Sequence, residues 1–369
     1  MKGEILMNDM QKLGKVEAMG LSLAVISNNI IFNMTSVIFN SCGSGSWLNV
    51  LYVSILSILF MLVAIFLFKR FISYDILDVS EYLGGSWLKG IMAILFIVLF
   101  MSFSAVSLRY YVNDLHVIYY PEYNYLVLLL ITFIPVIISS KIGLKAIYGT
   151  NLVVIPIAVL SIVLLFSVSI RDFTWQRLFP AFGYGVKNTF VTQSLNVFAF
   201  NVIAYLYFLP PFLKDTKDFK KVTLFSVISC ALYFILTTLA LTMTFAYSFT
   251  ADEAFSLYLI ARFATLGRFF QRIDAIFIFI WLLAFLSFVS LNVYLISYII
   301  KKSFKLSNSK EIIGSVSLVM LGFTLVFKNI STVGSFTKNF FKPYSVLLIF
   351  VVSFLILVFA NFKKRRDKK

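Results

Sequence analysis

Long apolar runs separated by short polar stretches repeat along this chain. A helix needs about 20 such residues to cross a bilayer, and run length gives ten spans. They cover about Ala18–Asn40, Trp47–Phe68, Leu88–Leu115, Tyr125–Ser140, Ile147–Ile170, Thr189–Leu213, Val222–Phe249, Ile273–Ile300, Ile312–Phe327 and Tyr344–Phe362. The pattern predicts an all-α membrane protein with about ten transmembrane helices. A polar lead, 1–17, precedes a single membrane domain, 18–362, and a basic tail, 363–369, follows it. The lead is mixed in charge and reads as a cytoplasmic segment, not a cleaved signal peptide.

Polar residues interrupt two of these spans more than the others. The sixth carries Asn188, Thr189, Thr192, Gln193, Asn196 and Asn201 between an opening Pro180, Gly183 and Gly185 and a closing Pro210 and Pro211. Amides facing lipid find no partners, so this span is expected to line a cavity. At helical spacing Thr189, Thr192, Gln193 and Asn196 share one face. In the first span Ser22, Asn29, Asn33, Ser36 and Asn40 share a face, with Ser27 and Asn28 beside it. These amides either face a ligand or only bond neighbouring helices. The third span adds Ser102, Ser104 and Ser107, small residues that also suit close helix packing.

In the eighth span Asp274, Trp281, Phe285, Phe288 and Asn292 share a face. Arg272 and Asp274 lie near the outer interface, where an ion pair or a helix start is the plainer role. Trp281 suits packing. The stretch Ala251–Arg272 is amphipathic and reads as a helix lying in the outer interface. The loop Ile170–Gly185 is placed over the cavity mouth.

Charge orients the spans. About two-thirds of the 32 Lys and Arg residues fall in the lead, the tail and alternate loops, which puts both termini in the cytoplasm. Ten spans divide into two sets of five with opposite orientations, the setting for an inverted repeat. Repeat one covers about 18–170 and repeat two about 189–362. The first helix of each half, hence the first and sixth, is expected to be broken and to bind ligand near the bilayer midplane.

Composition removes other classes. Of 369 residues, 60% are hydrophobic and 13% charged, more apolar surface than a soluble core can hide. The net charge of +16 invites nucleic acid, but the basic residues flank apolar runs and form no single soluble face. Cys42, Cys230 and the lone His116 offer neither a disulfide framework nor a metal site. No phosphate-binding loop, zinc motif, nucleophile elbow or triad appears, so neither an enzyme nor a cofactor is expected. The Lys-rich tail suits anionic lipid head groups.

Several segments together resemble the B subunits of spore germinant receptors, the endospore germination permeases. They are SWLNVL (Ser46–Leu51), EYLGGSWLKGI (Glu81–Ile91), LFPAFGYGV (Leu178–Val186), FAFNVIAYLYFLPPFLK (Phe198–Lys214) and LIARFATLGRFFQRIDAIFIFIW (Leu259–Trp281). In the last, Arg272, Asp274 and Trp281 stand in matching places. The family commonly has an acid where Asn201 stands here, and often one where Gln271 stands. The resemblance implies a LeuT-like fold of the amino acid–polyamine–organocation superfamily. It also implies a receptor subunit in the inner membrane of a bacterial endospore, which binds a small nutrient, most often an amino acid. Its partners would be an A-type subunit and a lipoprotein C-type subunit. An ion-coupled amino-acid permease and a channel of the germination complex are the alternatives. The candidate ligand residues are Asn28, Asn29, Asn33, Ser102, Thr189, Thr192, Gln193, Asn196 and Asn201. Pro180, Gly183, Gly185, Arg272, Asp274 and Trp281 are structural or gating candidates.

Overall fold

The computed structural model describes residues 12–31, 34–245, 260, 273–306 and 310–367. Among them ten helical passes follow one another and no strand occurs. The first pass is α1 (Lys15–Ile31) with α2 (Met34–Cys42), and passes two to five are α3 (Ser46–Phe68), α4 (Ile76–Ile118), α5 (Tyr125–Ile142) and α6 (Leu144–Ser169). The sixth is α7 (Val186–Phe190), a 3-10 stretch (Thr192–Phe200) and α8 (Val202–Leu206). The last four are α9 (Asp218–Thr244), α10 (Ile273–Phe304), α11 (Lys310–Val326) and α12 (Ile330–Arg366). Among the described residues seven helices are long and apolar enough to cross a membrane. Asn33, one of the candidate ligand residues, lies outside the described residues. So do Arg272 and, Ile260 apart, the amphipathic stretch Ala251–Arg272.

Local chemistry sets the boundaries. Asp75 caps α4: its carboxylate accepts from the Leu77 and Asp78 amides at 3.0 Å, and the Asp78 side chain returns to the Asp75 amide at 3.2 Å. This reciprocal cap satisfies donors that a helix start leaves free. Nine residues after Asp75, α4 kinks at Gly84 and Gly85, the latter at φ +70°. A short limb, 76–83, is thereby set off from the membrane limb, and the Lys89–Glu81 ion pair at 2.7 Å spans the bend. Gly143, at φ +97°, is the one-residue joint between α5 and α6.

The tenth pass departs furthest from its expected span. The helix starts at Ile330, behind an Asn329–Thr332 capping box, and not near Tyr344. Lys338 and Lys342 end the apolar run, so run length places the start too late. The helix absorbs both lysines, leaving Lys338 exposed and Lys342 buried. Pro343 lacks an N–H to bond the preceding turn. Around it α12 widens into π-helical turns at Thr337–Phe341 and Leu347–Val352.

Burial orders the bundle. Within their central windows 72% of residues are buried in α4 and in α10, against 33% in α5 and 28% in α6. The third and eighth passes therefore form the middle, joined by the stacked rings of Tyr111 and Phe285 at 4.3 Å. The fourth and fifth turn more of their apolar surface outward, as lipid contact requires.

Both described chain ends lie at one end of the bundle, the terminal end. There Leu13 pairs with the close of the sixth pass, its amide donating to Phe212 O at 2.7 Å and its carbonyl accepting from the Lys214 amide at 2.9 Å. Lys363 donates to Tyr82 O at 2.8 Å, and Tyr82 donates to Asp367. Part of the basic tail is thus docked on the limb 76–83, while Arg365 and Arg366 stay exposed.

Candidate ligand site between the first and sixth passes

The sixth pass leaves α geometry where the ligand residues were expected. Val191 (φ −103°, ψ −60°) and Gln193 (φ −96°, ψ 18°) break the turn after α7. The expected common face of Thr189, Thr192, Gln193 and Asn196 therefore does not form, because its 3.6-residue period does not hold there. Thr189 and Asn196 are buried, Gln193 is half-buried and Thr192 is exposed. A segment broken in this way bares backbone carbonyls and amides, which are tolerated at membrane depth where protein surrounds them.

Those groups are gathered at the end opposite the termini. Gly183 lies at φ +50°, and a Cβ there would sit 1.9 Å from Cys42 O. Across from it, a Cβ on Gly45 would meet the Gly183 nitrogen at 2.8 Å. The two glycines let the loop before α7 lie directly on the turn between α2 and α3. Ser44 Oγ donates to Pro180 O at 2.8 Å, Asn188 Nδ2 to Ser41 O at 2.7 Å, and Thr189 Oγ1 to Phe182 O at 2.9 Å. The loop expected over the cavity mouth is thus tied to the first and second passes.

One hydrogen-bond chain runs through this knot, and its polarity is fixed. Lys342 on α12 can only donate, and its Nζ lies 2.6 Å from Asn196 Oδ1. Asn196 Nδ2 therefore donates to Asn49 Oδ1 at 2.7 Å. Asn49 Nδ2 in turn donates to the carbonyls of Thr189 at 2.7 Å and Gln193 at 3.2 Å. The tenth, sixth and second passes are linked through groups that the break in the sixth pass exposes.

Deeper in the bundle the first, third and sixth passes meet. Asn29 Nδ2 donates to Ala199 O at 3.3 Å, so its Oδ1 is the acceptor for Asn201 Nδ2 at 2.8 Å. Asn28 Nδ2 donates to Ser107 Oγ at 3.0 Å. Asn28 Oδ1, Asn201 Oδ1, Ser102 Oγ and Ser104 Oγ are buried and make no hydrogen bond among the described residues. An unsatisfied buried polar atom costs about 1–3 kcal/mol. Several such atoms stand here on the first, third and sixth passes, as others do elsewhere in the bundle, at Asn151 and Thr238 among them. Between the knot and this junction Phe103, Phe198 and Phe341 pack together, with Phe341 4.8 Å from Phe103 and 5.4 Å from Phe198.

Among the described residues the amides close on one another, where an open midplane chamber was expected. A cavity of about 50 Å³ lies instead one turn nearer the terminal end, lined by Val25, Leu21 and Ser22 of α1, Tyr205 and Leu209 of the sixth pass and Leu291 of α10, among others. It is almost wholly apolar. Tyr205 OH at its wall donates to Asn292 Oδ1 at 2.8 Å.

The terminal end is held by ions. Lys302 of α10 lies 2.6 Å from both Asp75 and Asp78, and Tyr298 OH donates to Asp75 at 2.7 Å. Burial pushes the Asp75 carboxyl up. The Lys302 ammonium, with the hydrogen bonds from Lys302, Tyr298 and the Asp78 amide, outweighs burial and holds it below the usual carboxylate range. The Ile76 amide also donates to Tyr207 O at 3.1 Å, tying this cluster to the end of the sixth pass.

The remaining expected residues lie elsewhere. Trp281 is buried in an apolar cluster with Phe39, Val154, Ala240 and Leu241, apart from the amide junction. Asp274 is in the first turn of α10. Sequence reasoning did not single out Asn49, the Asp75–Lys302 pair or Lys342. For Lys342 a signal was present: a lysine followed by proline, thirteen residues after Asn329, inside what proves to be a helix.

These features define a class: an all-helical, multi-pass membrane protein with a LeuT-like transporter fold. A Na+-coupled sialic acid symporter, solved in a substrate-bound outward-open state, superposes with a TM-score of 0.58 over 93% of this chain and 77% of that chain at 12% identity, a likeness of fold alone. The family described as spore germination protein, the spore permeases, matches residues 21–333. The chain belongs to that family and is a germination-related, transporter-like protein. Comparison with curated proteins gives no match.

Proposed function

We propose that this protein senses a small nutrient, an amino acid, at the junction of the first, third and sixth passes and signals to partner subunits of a spore germinant receptor. The observation carrying this reading is the pair of buried acceptors, Asn28 Oδ1 and Asn201 Oδ1, that make no hydrogen bond among the described residues, on side chains that reach the third and first passes through Ser107 and Asn29. Their direction follows from the bonds around them, and two carbonyl acceptors suit an ammonium group. Ligand differentially bound by one arrangement of the bundle shifts its equilibrium toward that arrangement. An A-type and a lipoprotein C-type subunit would read the shift, with the protein in the spore inner membrane and both termini on the core side.

The second reading is an ion-coupled amino-acid permease, favoured by the fold. Uptake into proteoliposomes of the purified chain separates the two. The sensor reading expects no accumulation of labelled amino acids above equilibrium under a proton or sodium gradient. Concentrative uptake contradicts it.

A further inference from the structure

Protein interiors are close-packed, so the apolar cavity beside the amide junction asks for an occupant. It lies on the same stripes that carry the junction. On α1 the lining residues Ala18, Leu21, Ser22 and Val25 recur at helical spacing, and the next turn of that stripe carries Asn28 and Asn29. On the sixth pass the lining Tyr205 stands one turn beyond Asn201. Side chains so spaced are about 5–6 Å apart. The Asn201–Asn29 hydrogen bond of 2.8 Å joins the two stripes one turn from the cavity.

The cavity is shaped for alkyl groups. Ser22 and Tyr205 are the polar side chains on its wall among the described residues. Ser22 Oγ donates to Met19 O at 2.8 Å, and Tyr205 OH to Asn292 Oδ1 at 2.8 Å. Neither hydroxyl has a proton left for a water, which needs two to four partners to be held. The volume of about 50 Å³ takes about four water-sized groups, at roughly 10–15 Å³ each. A valine, leucine or isoleucine side chain has that size. A benzyl or indole group does not fit.

We infer that this cavity is the side-chain pocket of the sensed nutrient, and that it selects branched aliphatic amino acids. The inference rests on the sensor reading above and names its substrate class. The ligand's ammonium goes to Asn28 Oδ1 and Asn201 Oδ1. One turn nearer the terminal end its alkyl group fills the space among Leu21, Val25, Leu209 and Leu291. That one-turn offset is the reach of a leucine from its ammonium to its methyl groups. Each methylene taken from water into the cavity favours binding about fourfold.

The test uses spores carrying the complete receptor with wild-type chain, Ala18→Leu, Leu291→Ala or Asn201→Leu, with chain abundance read by immunoblot. Each is exposed to alanine, leucine and phenylalanine singly. Wild type is expected to respond to leucine at a concentration at least tenfold below that for alanine or phenylalanine. Ala18→Leu puts a larger side chain into the cavity and should bring the leucine-to-alanine ratio to about one. Leu291→Ala enlarges the cavity and should bring phenylalanine within about threefold of leucine. Asn201→Leu should weaken the response to all three alike. In nanodiscs the full-length Ala18→Leu chain should melt at or above the wild-type temperature, because it fills a void.

An Ala18→Leu chain that melts higher yet keeps the leucine preference makes the cavity a packing void and overturns the assignment, while leaving the junction intact. One that melts well below wild type overturns it as well, since the space to be filled is then absent. A wild type that responds to none of the three amino acids, or to alanine as readily as to leucine, also overturns it. Where Leu291→Ala does not accumulate, the Ala18→Leu ratio decides. An Asn201→Leu chain with unaltered responses sinks the sensor reading, whatever the cavity does.

Discussion

The two ends of the first–sixth pair are closed by different physics. At the opposite end the closure is steric and without ion pairs among the described residues: Gly183 against Gly45, side-chain amides on bared carbonyls, and Lys342 on the Asn196 carbonyl. At the terminal end Lys302 is clamped between two carboxylates and the Leu13 backbone pairs with Phe212 and Lys214. A clamp of paired charges is costly to open, because breaking it strands buried ions. A closure of amide hydrogen bonds, each worth about 1 kcal/mol net, can re-form around a ligand. On the proposed sensor reading, this difference would make the opposite end the responsive one and the terminal end the fixed one.

Gly183→Ala should have the largest effect. Its Cβ would sit 1.9 Å from Cys42 O at a positive φ, so backbone must move on both sides. Folded, monodisperse protein should fall severely in detergent extracts judged by size exclusion. A well-folded variant would mean the two passes do not touch there.

Lys302→Met should come next, at about 3–5 kcal/mol, since it leaves the buried Asp75 and the half-buried Asp78 without a cation. Thermal melting in nanodiscs checks it. A loss no larger than that of Asn49→Ala would erase the contrast between the two ends. Asn49→Ala itself should cost about 1–3 kcal/mol, having freed two carbonyls and the Asn196 amide, and should raise alkylation of Cys42 over that of Cys230. Both cysteines are buried in the closed form, so unchanged labelling would place the responsive end elsewhere.

The smallest effect is in pH. The folded Asp75 carboxyl lies below its unfolded value, so its contribution is fully present above about pH 4. It is lost as pH falls through the folded value. Melting temperature should drop in that acid window, and Asp75→Asn should flatten the drop while lowering stability at neutral pH. An unaltered acid limb would show that Asp75 does not anchor the terminal end.

Much of this architecture is legible in the residues, for identifiable reasons. Lipid demands long apolar runs, so the passes from α3 to α11 fall within a few residues of their expected spans, the short limb of α4 apart. The amides of Asn28, Asn29, Asn196 and Asn201 signal burial among protein because lipid offers them nothing. What periodicity misses is where helices stop being helices. Thr192 was assigned inward by a 3.6-residue rule that ends at Val191. Lys342 went unnoticed because a charge ended the apolar run, although the helix continues through it. Pairings across the chain, such as Lys302 with Asp75, leave no trace in local pattern.

On the proposed reading, nutrient is held where Asn29 and Asn201 meet. Its most direct test is the germination dose–response of spores carrying Asn29→Leu or Asn201→Leu at matched receptor abundance, stimulated with an amino-acid mixture. Half-maximal concentration is predicted to rise at least tenfold for each variant. Curves that overlay the wild type, with the proteins present at normal levels, contradict it.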